Sequence, residues 1–268
     1  MLAEALFLAL VGAVVALGIM TALWLLHLRL KDAGIVDLGW AGGLAVLAFL
    51  YAALGSGFAT RRLLVAVLGG FWGIRLALHL YVRLRGKPEE GRYQQLRKEW
   101  GAAGANVPLK FLFFFLFQGV LDVFLAMPFL LASTNPAPRL AVLELAGAAL
   151  WLVSLVGESV ADAQLARFKA DPASHGRTCR VGLWRFSRHP NYFFEWLIWC
   201  AFALVATAAP WGLLAWTCPA LMLFFLLRVT GIPATEAQAL RSRGDDYREY
   251  QRTTSAFVPW FPTRDGRR

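Results

Sequence analysis

Five unbroken apolar runs of about membrane-spanning length constrain this chain more than any other feature; they lie at roughly 5–26, 34–54, 63–82, 109–132 and 140–161. A sixth and longer stretch, 192–229, is interrupted at Ala209-Pro210-Trp211-Gly212 and reads as two helices joined by a tight turn. The expectation is an all-α integral membrane protein of seven transmembrane helices, forming one membrane-embedded domain over 1–268. Composition agrees: only 16% of the residues are charged, against roughly a quarter in soluble domains. No internal repeat is evident, which argues against an inverted-repeat transporter. The first 27 residues lack a basic start and a convincing cleavage site, so they read as a retained helix.

The net charge of +10 does not call for nucleic acid. Lys and Arg crowd the segments 27–33, 83–110, 162–190 and 230–268, while the other loops carry only Arg61, Arg62 and Arg139. That is the positive-inside pattern, and it places the N-terminus outside and the C-terminus in the cytoplasm. Arg61 and Arg62 dissent mildly. A basic face of this kind meets anionic membrane lipid or the phosphates of a nucleotide, and composition does not choose between them. Cys179, Cys200 and Cys218 have no metal-ligand spacing and form no disulfide framework, so no metal is expected.

The densest polar signal is Ser187-Arg188-His189-Pro190-Asn191-Tyr192-Phe193-Phe194-Glu195-Trp196. Pro190 suits the first turn of a helix, where its missing N–H costs nothing. Arg188, His189, Asn191, Tyr192 and Glu195 would then gather at the mouth of a membrane helix. Arginine grips phosphate or carboxylate in a fork, histidine exchanges a proton near neutral pH, and Asn191 and Glu195 share a helix face. An interfacial anchor of snorkelling side chains accounts for any one of these residues. Five within eight positions, with a carboxylate one turn into the apolar run, favour a functional site.

Other polar residues sit inside the apolar runs, where charge is costly without a partner or water. Asp37 and Trp40 are three apart on the second helix, and Arg75 on the third is a candidate partner for Asp37. His79 follows Arg75 by one turn and reads as a packed or interfacial histidine. Gln118 and Asp122 are spaced i, i+4, as interhelical glue or as the polar spots of a ligand cavity. Glu158, Asp162, Gln164, Arg167 and Lys169 continue one periodicity through the end of the fifth helix. The loop Arg83-Leu84-Arg85-Gly86-Lys87-Pro88 and the following Arg92-Tyr93 are rich in cations, which by itself is weak evidence for a phosphate cradle. Leu68-Gly69-Gly70-Phe71-Trp72-Gly73 echoes a dinucleotide glycine motif, but within a membrane helix such glycines serve close packing. The tail restarts a helix after Gly231-Ile232-Pro233, carries Glu236, and places Tyr247 and Tyr250 three apart.

On these residues the chain resembles the steroid 5α-reductase family in its bacterial branch. The likeness runs most strongly from Glu158 to Pro262, through Asp162, Gly182-Leu183-Trp184, Arg188-His189-Pro190-Asn191-Tyr192 with Glu195, and the tail from Gly231 to Tyr250. The resemblance implies a seven-helix protein of the bacterial inner membrane that holds NADPH in its cytosolic half. It makes about 5–161 the first five helices and about 162–268 the cofactor-binding part with the last two. It implies cofactor contacts at Asp162, Lys169, Asn191, Tyr192 and Glu195, with Arg85, Arg188, His189, Glu236 and Tyr247 as additions. The family's eukaryotic members have a histidine where Glu236 falls. They use a Gln-Glu pair on the second helix and a Tyr on the third, where Asp37 and Trp72 stand here.

The reaction implied is NADPH-dependent reduction of the conjugated C=C bond of a lipophilic enone, a 3-oxo-Δ4-steroid or similar lipid. Asp37, tuned by Arg75 and flanked by Trp72, is the candidate catalytic set, with Trp40, Gln118 and Asp122 toward the substrate. The expected partners are that small molecule and membrane lipid, with no nucleic acid; the sequence leaves the oligomeric state open and is compatible with a monomer. The R-H-P-x-Y element is also similar to isoprenylcysteine carboxyl methyltransferases and sterol C14-reductases. An S-adenosylmethionine-dependent methyltransferase and a non-catalytic lipid-binding bundle are therefore the alternatives.

Overall fold

The computed structural model describes residues 2–263, whose regular secondary structure is all helical, with one isolated bridge between Ser187 and Ser255 and no strand among them. In chain order the helices are α1 (Leu2–Leu30), α2 (Ile35–Leu54), α3 (Ala59–Val65), α4 (Phe71–Leu84), α5 (Gly91–Ala102) and α6 (Val107–Leu125). They continue as α7 (Met127–Ser133), α8 (Val142–Ala170), α9 (Pro190–Thr207), α10 (Thr217–Phe224), α11 (Ile232–Arg243) and α12 (Asp245–Thr253). Among the described residues six helical stretches are long and apolar enough to cross a membrane: α1, α2, Ala59–Leu84, Val107–Ser133, α8 and Gly212–Arg243. The seventh expected span, α9, forms as an 18-residue helix but is not one of the six. Asn191, Tyr192 and Glu195 in its first two turns dilute an apolar run that begins only at Trp196.

The chain divides into two compact units. The first holds the residues up to Glu144 together with Ala206–Ala215. Its helices meet through small residues, as membrane helices do when no hydrophobic gradient drives them together. The inward stripe of α1 is Leu8, Gly12, Ala16 and Met20, while Leu6, Leu10 and Val14 face outward. Tyr51 of α2 lies over Gly12, and Gly119 of α6 abuts Ala16 and Met20. The glycines at Gly69, Gly70 and Gly73 do serve packing: a Cβ on them would strike Ala48 and Phe129, Phe49, or the backbone of Ala41. Gly69 and Gly70 end a π-helical turn, Ala66–Gly70, that joins α3 to α4, and Gly73 lies in the first turn of α4.

Arg61 and Arg62, the dissenters from the charge pattern, are both committed inside this unit. Arg61 is wholly buried, paired with Glu144 and bonded to the carbonyls of Asn135, Ala137 and Arg139. Arg62 donates to Gly55 O at 2.7 Å beside the end of α2. Neither is a solvated loop charge of the kind the positive-inside pattern counts.

The second unit comprises Leu145–Val205 and the residues from Trp216 onward. Gly157 of α8 receives the ring of Phe194, and Gly147 lies against the α9 backbone at Ala201. Trp196 Nε1 donates to Pro219 O at 3.1 Å, tying α9 to α10. A second π-helical turn, Phe225–Val229, precedes the break at Gly231, where a Cβ would meet the Leu226 carbonyl at 2.6 Å.

Candidate functional site

Pro190 opens α9, as its missing N–H requires, and the residues before it are fixed by the tail. The Arg188 backbone N–H donates to Ser255 O at 2.8 Å, Ser187 Oγ donates to Phe257 O at 2.8 Å, and the Tyr250 hydroxyl donates to the carbonyls of Trp184 and Ser187. Within this frame Glu236 of α11 collects donors. Its Oε1 accepts from Arg188 Nε at 2.6 Å and from the Tyr247 hydroxyl at 3.4 Å, and lies 3.2 Å from His189 Nε2. Gln251 Nε2 donates to Oε2 at 2.7 Å. Arg188 Nη1 spends itself on the carbonyls of Gln251 and Thr254. Burial, then the neighbouring Glu236 carboxylate, hold the Tyr247 hydroxyl well above the ordinary phenol range, so it keeps the proton it donates.

Arg188, His189, Glu236 and Tyr247 are thus brought together, but as an inward-facing clamp rather than as a fork left open for phosphate. The Tyr192 ring stacks on His189 at 5.4 Å, and its hydroxyl reaches Thr235 Oγ1 at 3.1 Å. Beside Tyr192, Asn191 Nδ2 donates to Asp162 Oδ1 at 3.2 Å, joining α9 to α8 across 29 residues of sequence. Glu195 is half-buried on α9, and Lys169 is exposed at the end of α8. Gln251 belongs to the same network and was not named from sequence, whereas Ser187, Trp184 and Tyr250 were named only as parts of motifs, without these partners. The i, i+4 relation of Gln251 to Tyr247 was the one available signal for it.

The remaining candidates lie in the first unit. Asp37 takes Arg92 and Tyr93 of α5 as its partners, rather than Arg75: Arg92 pairs with Oδ2 and the Tyr93 hydroxyl donates to Oδ1 at 2.9 Å. Both Asp37 oxygens are thus taken up as acceptors. Burial and then Asp37 push the Tyr93 hydroxyl far up from its ordinary value. Arg75 is half-buried on α4, His79 is exposed there, and Arg85 is exposed as the residue capping α4. Trp40 and the buried Trp72 meet edge to face, with ring centroids 6.2 Å apart. Gln118 is half-buried one turn before Asp122. Asp122 is completely buried, and neither of its oxygens has a partner among the described residues. Its Oδ2 lies over Gly43, where a Cβ would sit 2.5 Å away. An apolar groove of about 390 Å³ runs between α2 and α4, lined by Leu38, Gly42, Val46, Phe49, Ile74 and Leu78.

Apolar helices of spanning length, polar side chains gathered near their ends and a buried intramembrane carboxyl define a multi-pass, all-α membrane protein. Within that class, the chain belongs to the family described as "Protein of unknown function (DUF1295)", whose model matches residues 23–254. It is similar to an uncharacterized protein of Schizosaccharomyces pombe, 29% identical over 293 residues, covering 96% of this chain and 80% of the relative. No solved structure matches the chain significantly.

Proposed function

We propose that the protein is an NADPH-dependent reductase of the conjugated C=C bond of a lipophilic enone, steroid-like in shape. The observation that carries this reading is the contact between Asn191 and Asp162. These are two of the positions that the resemblance assigns to the cofactor, and they are adjacent in space although far apart in sequence. The donor set there fits the group: a carboxylate to accept from ribose hydroxyls, a carboxamide to donate and accept, and Lys169 to meet phosphate. Arg188 fits less well as a phosphate ligand, because Glu236 and two carbonyls already hold it. In this reading it shapes the site through the clamp.

When bound, NADPH would supply the hydride that the enone β-carbon requires and become NADP⁺, with the proton for the α-carbon drawn from water. The chain's part is to orient the reactants and to meet the negative charge that develops on the carbonyl oxygen. Asp37 serves here by holding Arg92 and Tyr93, the cation and the hydroxyl nearest to it, rather than by giving up a proton itself. The groove between α2 and α4 has the size and apolar lining that a ring lipid requires.

We further propose that α9 is the seventh span, with the N-terminus outside and the C-terminus in the cytoplasm. Reporter fusions at both termini test this, and finding them on one side would refute it. The reaction is tested by incubating purified protein with NADPH and a panel of enones. Loss of the dihydronicotinamide absorbance with saturation of the alkene supports the reading. NADPH left unconsumed across the panel, with methyl transfer from S-adenosylmethionine in its place, would move the protein to the methyltransferase class.

A further inference from the structure

Between Thr254 and Thr263 the chain forms no helix, yet its backbone is fastened to the residues that lead into α9. Ser255 O and Phe257 O accept from Arg188 N and Ser187 Oγ, Trp260 N donates to Phe186 O at 2.8 Å, and Thr263 N returns to Thr253 O at 3.0 Å. Held in this way, the segment turns one large side chain inward and three outward. Phe257 is buried, its ring centroid 5.6 Å from that of Phe193 and 5.9 Å from that of Trp196. Val258, Trp260 and Phe261 are 53%, 64% and 73% exposed, with Phe261 edge to face against Phe186.

Trp196 begins the apolar run of α9, so its contact with Phe257 fixes the tail at the level where that helix leaves its polar first turns. Trp260 lies three residues further on, no more than about 11 Å of extended chain. Its amide is tied back to Phe186, so the exposed rings stay beside the mouth of α9. Large apolar side chains fixed outward are unfavourable against water. They are favourable at the boundary of headgroups and acyl chains, where an indole keeps its N–H hydrated while its ring leaves water. Arg185, exposed one residue before Phe186, adds a cation of the kind that pairs with lipid phosphate.

We propose that the segment 258–261 is a membrane-interface anchor, with Val258, Trp260 and Phe261 seated in the headgroup boundary of the bilayer. Through the bonds to Phe186, Ser187 and Arg188, the bilayer then steadies the Arg188 clamp and the first turn of α9. The proposal is independent of the reductase reading. It rests on α9 entering the membrane near Trp196, which the reporter fusions test separately.

The test places a fluorophore on the segment and asks which quencher reaches it. Trp260→Cys and Phe261→Cys are labelled with bimane at neutral pH and reconstituted into phosphatidylcholine liposomes. Quenching comes from phosphatidylcholine carrying a nitroxide near its headgroup, or from iodide on both sides. The three native cysteines are buried, and the unsubstituted protein labelled in parallel gives their background. Val153→Cys, at an exposed position on the apolar part of α8, is the lipid standard. Asp245→Cys, where the native side chain is 94% exposed, is the water standard. Positions 260 and 261 should lose severalfold more emission to the nitroxide lipid than to iodide, and position 245 should do the reverse. Iodide quenching equal to that at position 245 would put the tail in water, and shielding from both quenchers would mean that protein covers it; either result overturns the proposal. Hydrogen exchange in liposomes reads the consequence for the clamp. Trp260→Asp should speed exchange of the Arg188 amide severalfold, while Trp260→Leu, which keeps an apolar side chain, should leave it near the unsubstituted rate. Equal rates in those two variants would overturn the proposal as well.

Discussion

Truncating Glu236 to alanine probes whether the Arg188 cluster holds the tail against α9. The side chains of Arg188 and Glu236 are only 12% and 14% exposed, so water does little to screen their pairing. Removing the carboxylate leaves the guanidinium with two carbonyls and no counter-charge, and it also strips a partner from His189, Tyr247 and Gln251. Breaking one side of a buried pair in this way costs about 3–5 kcal/mol. Glu236→Gln retains an acceptor for Arg188 and should cost less, about 1–2 kcal/mol. Tryptophan fluorescence during denaturant titration in mixed micelles reads both losses. Adding Arg188→Met to Glu236→Ala should cost less than the sum of the two single changes, because the stranded cation goes with its partner. A cost for Glu236→Ala below about 1 kcal/mol, the range of an exposed ion pair, would refute the clamp.

Gly43→Ala should destabilise the first unit by about 1–3 kcal/mol, since its Cβ would sit 2.5 Å from Asp122 Oδ2. Gly42→Ala, with nothing within 4 Å, should be neutral or slightly stabilising in the same thermal-aggregation assay. Arg61→Met should cost about 3–5 kcal/mol by stranding the buried Glu144 carboxylate, seen as early unfolding on heating. Burial raises the Cys179 thiol above its ordinary pKa, although Arg243 and Lys169 pull the other way. The thiolate fraction is therefore depressed at neutral pH. Maleimide labelling of a variant retaining only this cysteine should keep rising at a pH where a free thiol has already levelled off.

The helices were legible because hydropathy alone separates lipid-facing runs from loops, and the glycine-rich turn before Trp72 was read correctly as a packing device. Tertiary partners were not legible. Asp37 was expected to meet Arg75 because both lie inside apolar runs. Its actual partners come from α5, a short polar helix whose docking no period in the sequence announces. Arg61 and Arg62 counted against the charge pattern only while they were assumed to be solvated. In the Arg188 motif the grouping was visible, but its meaning changed once Glu236, Gln251 and the Thr254 carbonyl arrived from 48 to 66 residues away. Asp162 and Asn191 were each singled out, and their contact is what the fold adds.

The most direct measurement is NADPH binding to the purified protein, followed by nicotinamide fluorescence with NADH and S-adenosylmethionine as competitors. The reductase account expects saturable NADPH binding that S-adenosylmethionine does not displace and that Asn191→Ala or Glu195→Ala weakens severely. Displacement by S-adenosylmethionine, or no NADPH binding by a protein that remains folded, would contradict it.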